Sequence, residues 1–392
     1  MIMLRKNPLL SLKMFLFFGA AISSLVVSFL PLYFQNNGLT KSAIGMFFAL
    51  GTLVGLIAQP VWGFMSDKYK TVKKIIVVVL IGILMGIFLI FQLSSLAMLY
   101  VAGALFFFFF TALNPLSDNL AKRIADEQKV TFGSIRSWSS FGFAIISLAS
   151  GFYFNKMGVS SLSIPMMIVA GMTLILSFTL KDANSGTKKV NLKEVGSFFK
   201  DKTLLTFFLL SFFIFLTHRI NDSFISLYLF EIGGNEMLVG WLWFIGVLSE
   251  AILFITSFIW FRSKNPIIYI IIAGFLFTIR WTMVGFIKDP SILLSIQVMH
   301  GLCFAILYMG AIEYLYKALP VEMQATGHMV YMGIVFSITN IIGSSVGGII
   351  FDTFSGSTLY FTMAVCSFIG TVGFILFSMK EKPLRKIAAV EG

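Results

Sequence analysis

Seven charged side chains stand inside long apolar runs: Asp118, Arg136, Arg219, Asp222, Glu250, Arg280 and Glu313. His218 and His300 lie in such runs too, and His328 lies near the edge of one. Carboxyl, guanidinium and imidazole groups are the types that hold polar solutes and pass protons. In hydrocarbon each charge at a helix centre costs about 2.5–3.5 kcal/mol, so seven standing alone would cost about 20 kcal/mol. They must pair with one another or face a polar cavity.

Spacing suggests partners. Asp118 and Arg136 sit on consecutive apolar runs joined by a short loop, which makes an ion pair between antiparallel neighbours reasonable. That pair is either a structural bridge that fixes helix packing or a fork that grips hydroxyls or carboxylates. His218 and Asp222 are i,i+4 on one run, and Arg219 and Asp222 are i,i+3. An Arg–Asp pair on one helix would neutralise itself. Glu250 has no partner nearby in sequence, and with Arg280 and His300 it supplies one titratable group from each of three runs. A dry surrounding favours the neutral form of a carboxyl, and a nearby arginine favours the charged form. An acid that alternates between the two can take up and release a proton. Glu313 is expected near the end of its run, at an interface.

The elements that position these groups must be membrane helices. Of 392 residues 58% are hydrophobic and only 12% charged, with 45 Phe. A soluble protein has about 25% charged residues, and disordered chains are more polar still. Hydropathy marks twelve spans, at 12–34, 42–65, 73–92, 95–121, 132–154, 159–180, 203–231, 237–261, 266–287, 291–316, 325–351 and 358–379. The first follows Arg5 and Lys6, lacks a small-residue cleavage site and leads into another span, so it is read as a helix rather than a removed signal peptide. The only long polar link, 181–202, falls between the sixth and seventh spans. The expected fold is therefore an all-α membrane protein of twelve transmembrane helices in two six-helix bundles. Residues 1–180 form the first bundle, 181–202 a basic linker, 203–379 the second bundle and 380–392 a tail.

Charge placement orients it. The chain has 29 Lys and Arg. With the N-terminus inside, three of them are the span arginines, three (Lys41, Lys156 and Lys288) fall in outside loops, and the remaining 23 are inside. This asymmetry places both termini and the linker in the cytoplasm. It also assigns the net charge of +12 to an anionic lipid surface rather than to nucleic acid. Cys303 and Cys366 both lie in apolar runs, which argues against a disulfide framework and against a metal site of the usual Cys/His spacing. No nucleophile–base pair or phosphate loop marks an enzyme, and no cofactor is expected. The driving force would be a proton gradient.

Two bundles of six with a central cytoplasmic loop resemble the major facilitator superfamily. The loop after the second span carries the resemblance further: Gly63, then Asp67 and Lys68, then Lys73 and Lys74. That Gly-Asp-basic pattern is similar to the superfamily's gating-loop signature and says nothing of substrate. More specific stretches are Asn114-Pro115-Leu116-Ser117-Asp118, Phe132-Gly133-Ser134-Ile135-Arg136-Ser137-Trp138, Gly240 to Glu250, Ile279-Arg280-Trp281 and Gln297-Val298-Met299-His300. Here the chain resembles the lactose-permease-like branch and, more closely, the phenylpropionate permease family.

The resemblance implies a fold of inverted repeats with a solute site between the halves at mid-membrane. It implies solute binding by Asp118, Arg136, Phe143, Glu250, Trp281 and His300, and proton coupling by Glu250, Arg280 and His300. It implies a charge network of His218, Arg219 and Asp222, with Gly63, Asp67 and Lys68 in a gating loop. Three positions depart from the lactose permeases. The Glu expected three residues after the histidine is Cys303, the Lys three residues before it is Gln297, and the Trp seven residues after the first-half arginine is Phe143. Lactose itself is then not the expected solute, and the proton carrier is placed on Glu250 or Asp118.

The function expected is proton-coupled symport of a small organic solute, an aromatic carboxylate, a sugar or a nucleoside-like compound, by a monomer in a bacterial cell membrane. The alternative is a proton-antiport exporter of drugs or metabolites, though exporters favour apolar cavities with one or two acids. A non-transporting sensor would need an appended output domain, and the tails offer no room for one.

Overall fold

The computed structural model describes residues 7–93, 95–182, 201–262, 265–320 and 323–380. All regular structure among them is helical. Twelve helices follow the twelve apolar runs. In the first half they are α1 (Pro8–Asn36), α2 (Lys41–Lys68), α3 (Lys73–Gln92), α4 (Leu96–Gln128), α5 (Phe132–Met157) and α6 (Val159–Ser177). In the second half they are α7 (Lys202–Glu231), α8 (Glu236–Ile255), α9 (Pro266–Phe286), α10 (Pro290–Ala318), α11 (324–353) and α12 (Gly356–Lys380). Eleven contain a stretch long and apolar enough to cross a membrane, counting only Val335–Thr353 of α11. The exception, α5, has 26 residues but is rich in Ser and Gly, which lowers its apolarity without shortening it.

Local chemistry explains where helices outrun, stop short of or bend within the apolar runs. The fourth passes residue 121 and continues to Gln128, because Lys122 pairs with Asp126 and Arg123 bonds Asn119, both at i,i+4. The eighth stops at Ile255, where Thr256 Oγ1 donates back to Ile252 O, and a short turn Ser257–Trp260 follows. Helix α1 breaks at Phe29, two residues before Pro31, which has no N–H to give and whose ring crowds the preceding turn. Helix α10 breaks at Gln297. Helix α11 widens to a π-helix over Met332–Ile338, where Thr339 Oγ1 donates to the Val335 and Phe336 carbonyls.

The described residues divide into two compact units, 7–182 with 234–244, and 201–233 with 245–380. The first half of α8 groups with the first unit because it touches α5 backbone to backbone. A Cβ on Gly240 would stand 2.8 Å from Ser147 O, and one on Gly151 would stand 2.9 Å from Gly240 Cα. Only glycine allows that approach. The core of the first unit is built on Phe34, Phe47, Phe106 and Phe107, packed edge to face. That of the second stacks Phe207 between Tyr314 and Tyr331.

Candidate functional site

In the first unit, α4 and α5 carry Asp118 and Arg136 to one another. Arg136 Nε donates to Asp118 Oδ1 at 2.7 Å, and the side chains remain 40% and 38% exposed. About two turns beyond the pair along α5, Phe143 meets Trp243 of α8 edge to face, with ring centroids 5.9 Å apart. Trp243 is buried, and Phe143 is half-buried.

The second unit gathers a larger cluster. Arg280 on α9 is wholly enclosed. Its guanidinium lies 4.4 Å above the Trp281 ring. Trp281, also wholly enclosed, donates from Nε1 to Thr217 Oγ1 at 2.8 Å and stacks on Phe277. Trp281 thus forms a floor under Arg280. The break in α10 presents Gln297, whose Oε1 accepts from Arg280 Nη2 at 2.9 Å. His300 Nδ1 stands 3.5 Å from the same Nη2. Arginine has no acceptor, so Nδ1 must accept in that contact, and Nε2 of a neutral ring carries the hydrogen. Nε2 faces Glu250 Oε2 at 3.9 Å, beyond direct hydrogen-bond reach. The Glu250 side chain is 29% exposed.

Close packing sets this register. A Cβ on Gly301 would fall 2.2 Å from Glu250 N, so α8 and α10 meet at their backbones. Ser249 Oγ accepts from Gly301 N at 3.1 Å and locks the crossing. From α7, His218 stacks on Phe304 with centroids 4.5 Å apart and lies 5.2 Å from the His300 ring. Asp222 Oδ2 accepts from Arg219 Nη1 at 3.1 Å, and His218 Nε2 is 3.6 Å from the same oxygen. The π-helix of α11 lays Phe336 over the Arg219 guanidinium at 4.6 Å. Asn221 Oδ1 accepts from Tyr360 OH of α12 at 3.3 Å.

Arg280, His300 and Glu250 therefore converge, and His218, Arg219 and Asp222 join them through the two imidazoles. The gating-loop residues lie apart in the first unit, at the end of α2. A Cβ on Gly63 would meet nothing within 4 Å, and the Lys68 ammonium lies 5.7 Å from the Tyr69 ring. Glu313 pairs with Lys317 at i,i+4 and is not in the cluster.

Asn221, Phe304, Phe336 and Asp182 were not singled out from the sequence. The first two lie one helical turn or less from named residues, at Asp222 and His300, and that spacing was the available signal. Phe336 and Asp182 act across helices and left none.

Several buried donors in the cluster have no protein partner: Arg280 Nε and Nη1, Arg219 Nε and Gln297 Nε2. Such groups are completed in working proteins by water or by a ligand's acceptors. His218, Asp222 and His300 also present three ligand atoms within 4.8 Å of one another. Arg219 and Arg280 already reach two of these residues with positive charge, which disfavours a metal cation at that spot.

Twelve helices in two bundles, with arginines and acids paired inside them, define a multi-pass membrane transporter of the major facilitator type rather than an enzyme. Residues 9–362 match the MFS_1 like family, and the chain belongs to it. It is similar to the uncharacterized transporter YwbF of Bacillus subtilis (strain 168), at 27% identity over 95% of this chain and 94% of that one. It is similar to the maltose permease of Geobacillus stearothermophilus, at 23% identity over 96% and 94%. Its fold matches the crystal structure of the nucleoside transporter NupG, with a TM-score of 0.85 over 96% of this chain and 100% of that one, at 15% identity. Like its relatives it is a protein of the cell membrane.

Proposed function

We propose that the protein is a proton-coupled symporter that imports a small neutral, hydroxyl-bearing solute by alternating access. The observation that carries this reading is the chain Arg280–His300–Glu250. A carboxyl on a partly exposed side chain beside an imidazole, itself fixed by a buried arginine, is a group that can exchange protons with water and sense its buried neighbours. The relatives named maltose permease and nucleoside transporter fit a solute of this kind.

Charge balance narrows the solute. The cluster holds Arg219 and Arg280 against Asp222 and Glu250, and the first unit holds Arg136 against Asp118. With neutral imidazoles each set cancels. An anionic solute would add an uncompensated charge to the enclosed second-unit cluster, which is costly. A neutral polyol adds none, and its oxygens can accept from the buried donors of Arg219, Arg280 and Gln297. This favours a sugar or nucleoside-like solute over an aromatic carboxylate.

The test is proton movement in lightly buffered, de-energised cells expressing the protein. Maltose, uridine and 3-phenylpropionate are added in turn, with Glu250→Gln as control. External alkalinisation with maltose or uridine, absent in Glu250→Gln, is expected. Acidification would show antiport. A response to 3-phenylpropionate alone would overturn the neutral-solute reading, and uptake without proton movement would overturn the coupling.

A further inference from the structure

The turn between α2 and α3 is held by a residue from the far end of the first half. Helix α3 starts at Lys73, and the residue before it, Val72, offers no side chain that could cap. The first backbone N–H groups of a helix need acceptors from elsewhere. Asp182 supplies them: its Oδ1 accepts from Val72 N at 3.1 Å and from Lys73 N at 3.0 Å. Its Oδ2 accepts from Thr71 Oγ1 at 2.5 Å, and Thr71 Oγ1 in turn accepts from Lys74 N at 3.2 Å. A carboxylate here also meets the positive end of the helix dipole.

The grip extends on both sides. Lys73 Nζ donates to Phe178 O at 3.0 Å, and Lys181 pairs with Glu127 at the end of α4 at 2.7 Å. Thr71 N donates to Ser66 O, and Ser66 Oγ returns to Thr71 O. Thr71 and Val72 are buried, and Lys70 between them and α2 has a left-handed φ of 49°. A turn with one left-handed residue, a buried second half and hydrogen bonds at both ends has few alternative shapes. Five residues, 178–182, thus tie α3 and α4 together at the point where the chain leaves the first half for the second.

We propose that Asp182 is a positioning residue for transport. It fixes the α2–α3 turn, which follows Gly63, Asp67 and Lys68, and so sets the turnover of the carrier without setting its affinity for solute. The proposal needs only that the protein is a transporter, not the proton coupling or the solute class argued above.

The test compares wild type, Asp182→Ala, Asp182→Asn and Asp182→Glu as full chains in lipid nanodiscs and in cells. Asn keeps the oxygen that accepts from Val72 and Lys73 but loses the charge. In Asp182→Ala, amide hydrogen exchange at 72–75 is expected to be about tenfold faster, with helices of the second half unchanged. The maximal uptake rate of labelled maltose or uridine is expected to fall by about fivefold, with the half-saturating concentration within about twofold of wild type. Asn is expected to restore most of the protection and part of the rate. Unchanged exchange in Asp182→Ala would overturn the proposal. So would faster exchange with an unchanged maximal rate, which would make Asp182 a brace only, or a changed half-saturation at constant maximal rate. A wild type that accumulates neither solute counts against the solute reading and not against Asp182; the maximal rates of the same variants are then compared with labelled 3-phenylpropionate, and unchanged exchange in Asp182→Ala still overturns the proposal.

Discussion

Asp118 and Arg136 meet at 2.7 Å with both side chains more than a third exposed, whereas Arg280 is wholly enclosed and bonded to Gln297 and His300. The first arrangement is a single, partly exposed pair, the second a network in a core. An exposed ion pair contributes at most about 1 kcal/mol to stability, since water screens it and two side chains must be held still. A buried charge with its partners removed costs several times more. The same residue types therefore have different duties. The first-half pair is free to trade partners at little structural cost, and the second-half network is tied into the fold.

The largest expected effect tests that contrast from the buried side. Arg280→Met keeps the bulk above Trp281 but leaves the buried Gln297 and His300 without their donor. Unfolding of the purified protein in detergent is expected to be easier by about 3 kcal/mol or more. A melting curve that matches wild type would mean the network is dispensable for folding, and the contrast would collapse.

Next in size is packing. A Cβ at Gly301 has backbone atoms of Ser249 and Glu250 within 2.2–2.6 Å, and backbone cannot step aside as a side chain can. Gly301→Ala is expected to cost about 1–3 kcal/mol and to move Glu250 away from His300. Gly63→Ala, with nothing within 4 Å, is the matched control and is expected to be neutral or slightly stabilising within its helix. If both glycines tolerate alanine equally, the α8–α10 contact is looser than its geometry implies.

These elements also show what could be read in advance. Apolar runs of helical length located all twelve helices, since hydrocarbon demands that each backbone satisfy itself. The need to pair intramembrane charges pointed to both clusters. Within one helix the partners followed from spacing, as with Arg219 and Asp222 at i,i+3. Across helices they depend on rotation and on crossing depth, which no single run encodes. The bond from Arg280 to Gln297, the stacking of His218 on Phe304 and the π-helix that presents Phe336 are of that second kind. Asp182 is the clearest case. Its place in a polar stretch, 110 residues from Val72, suggested linker, and only the fold shows it seated on α3.

The exposed side of the contrast gives a split between two readouts. Asp118→Asn removes the charge and keeps the shape. Its expected effect on stability is below about 1 kcal/mol, because the pair is partly solvated. Transport is nevertheless expected to fall by at least about tenfold if the pair holds solute. A melting temperature lowered as much as by Arg280→Met, with transport intact, would reverse the assignment and make the first-half pair the structural one.

The smallest effect asks whether the end of α4, beyond Asp118, behaves as ordinary solvated helix. Lys129 follows its last residue with φ at 54°, a left-handed conformation that strains any side chain with a Cβ. Glycine relieves the strain, and alanine does not. Both substitutions remove the same charge from the helix C-terminus, so the difference between them isolates backbone conformation. Lys129→Gly is expected to be more stable than Lys129→Ala by about 1 kcal/mol in chemical denaturation. Equal stabilities would mean that the α4–α5 turn relaxes when Lys129 is replaced. The lever that brings Arg136 to Asp118 would then be soft, and the first-half pair would be held by its own attraction rather than by the helices on either side of it.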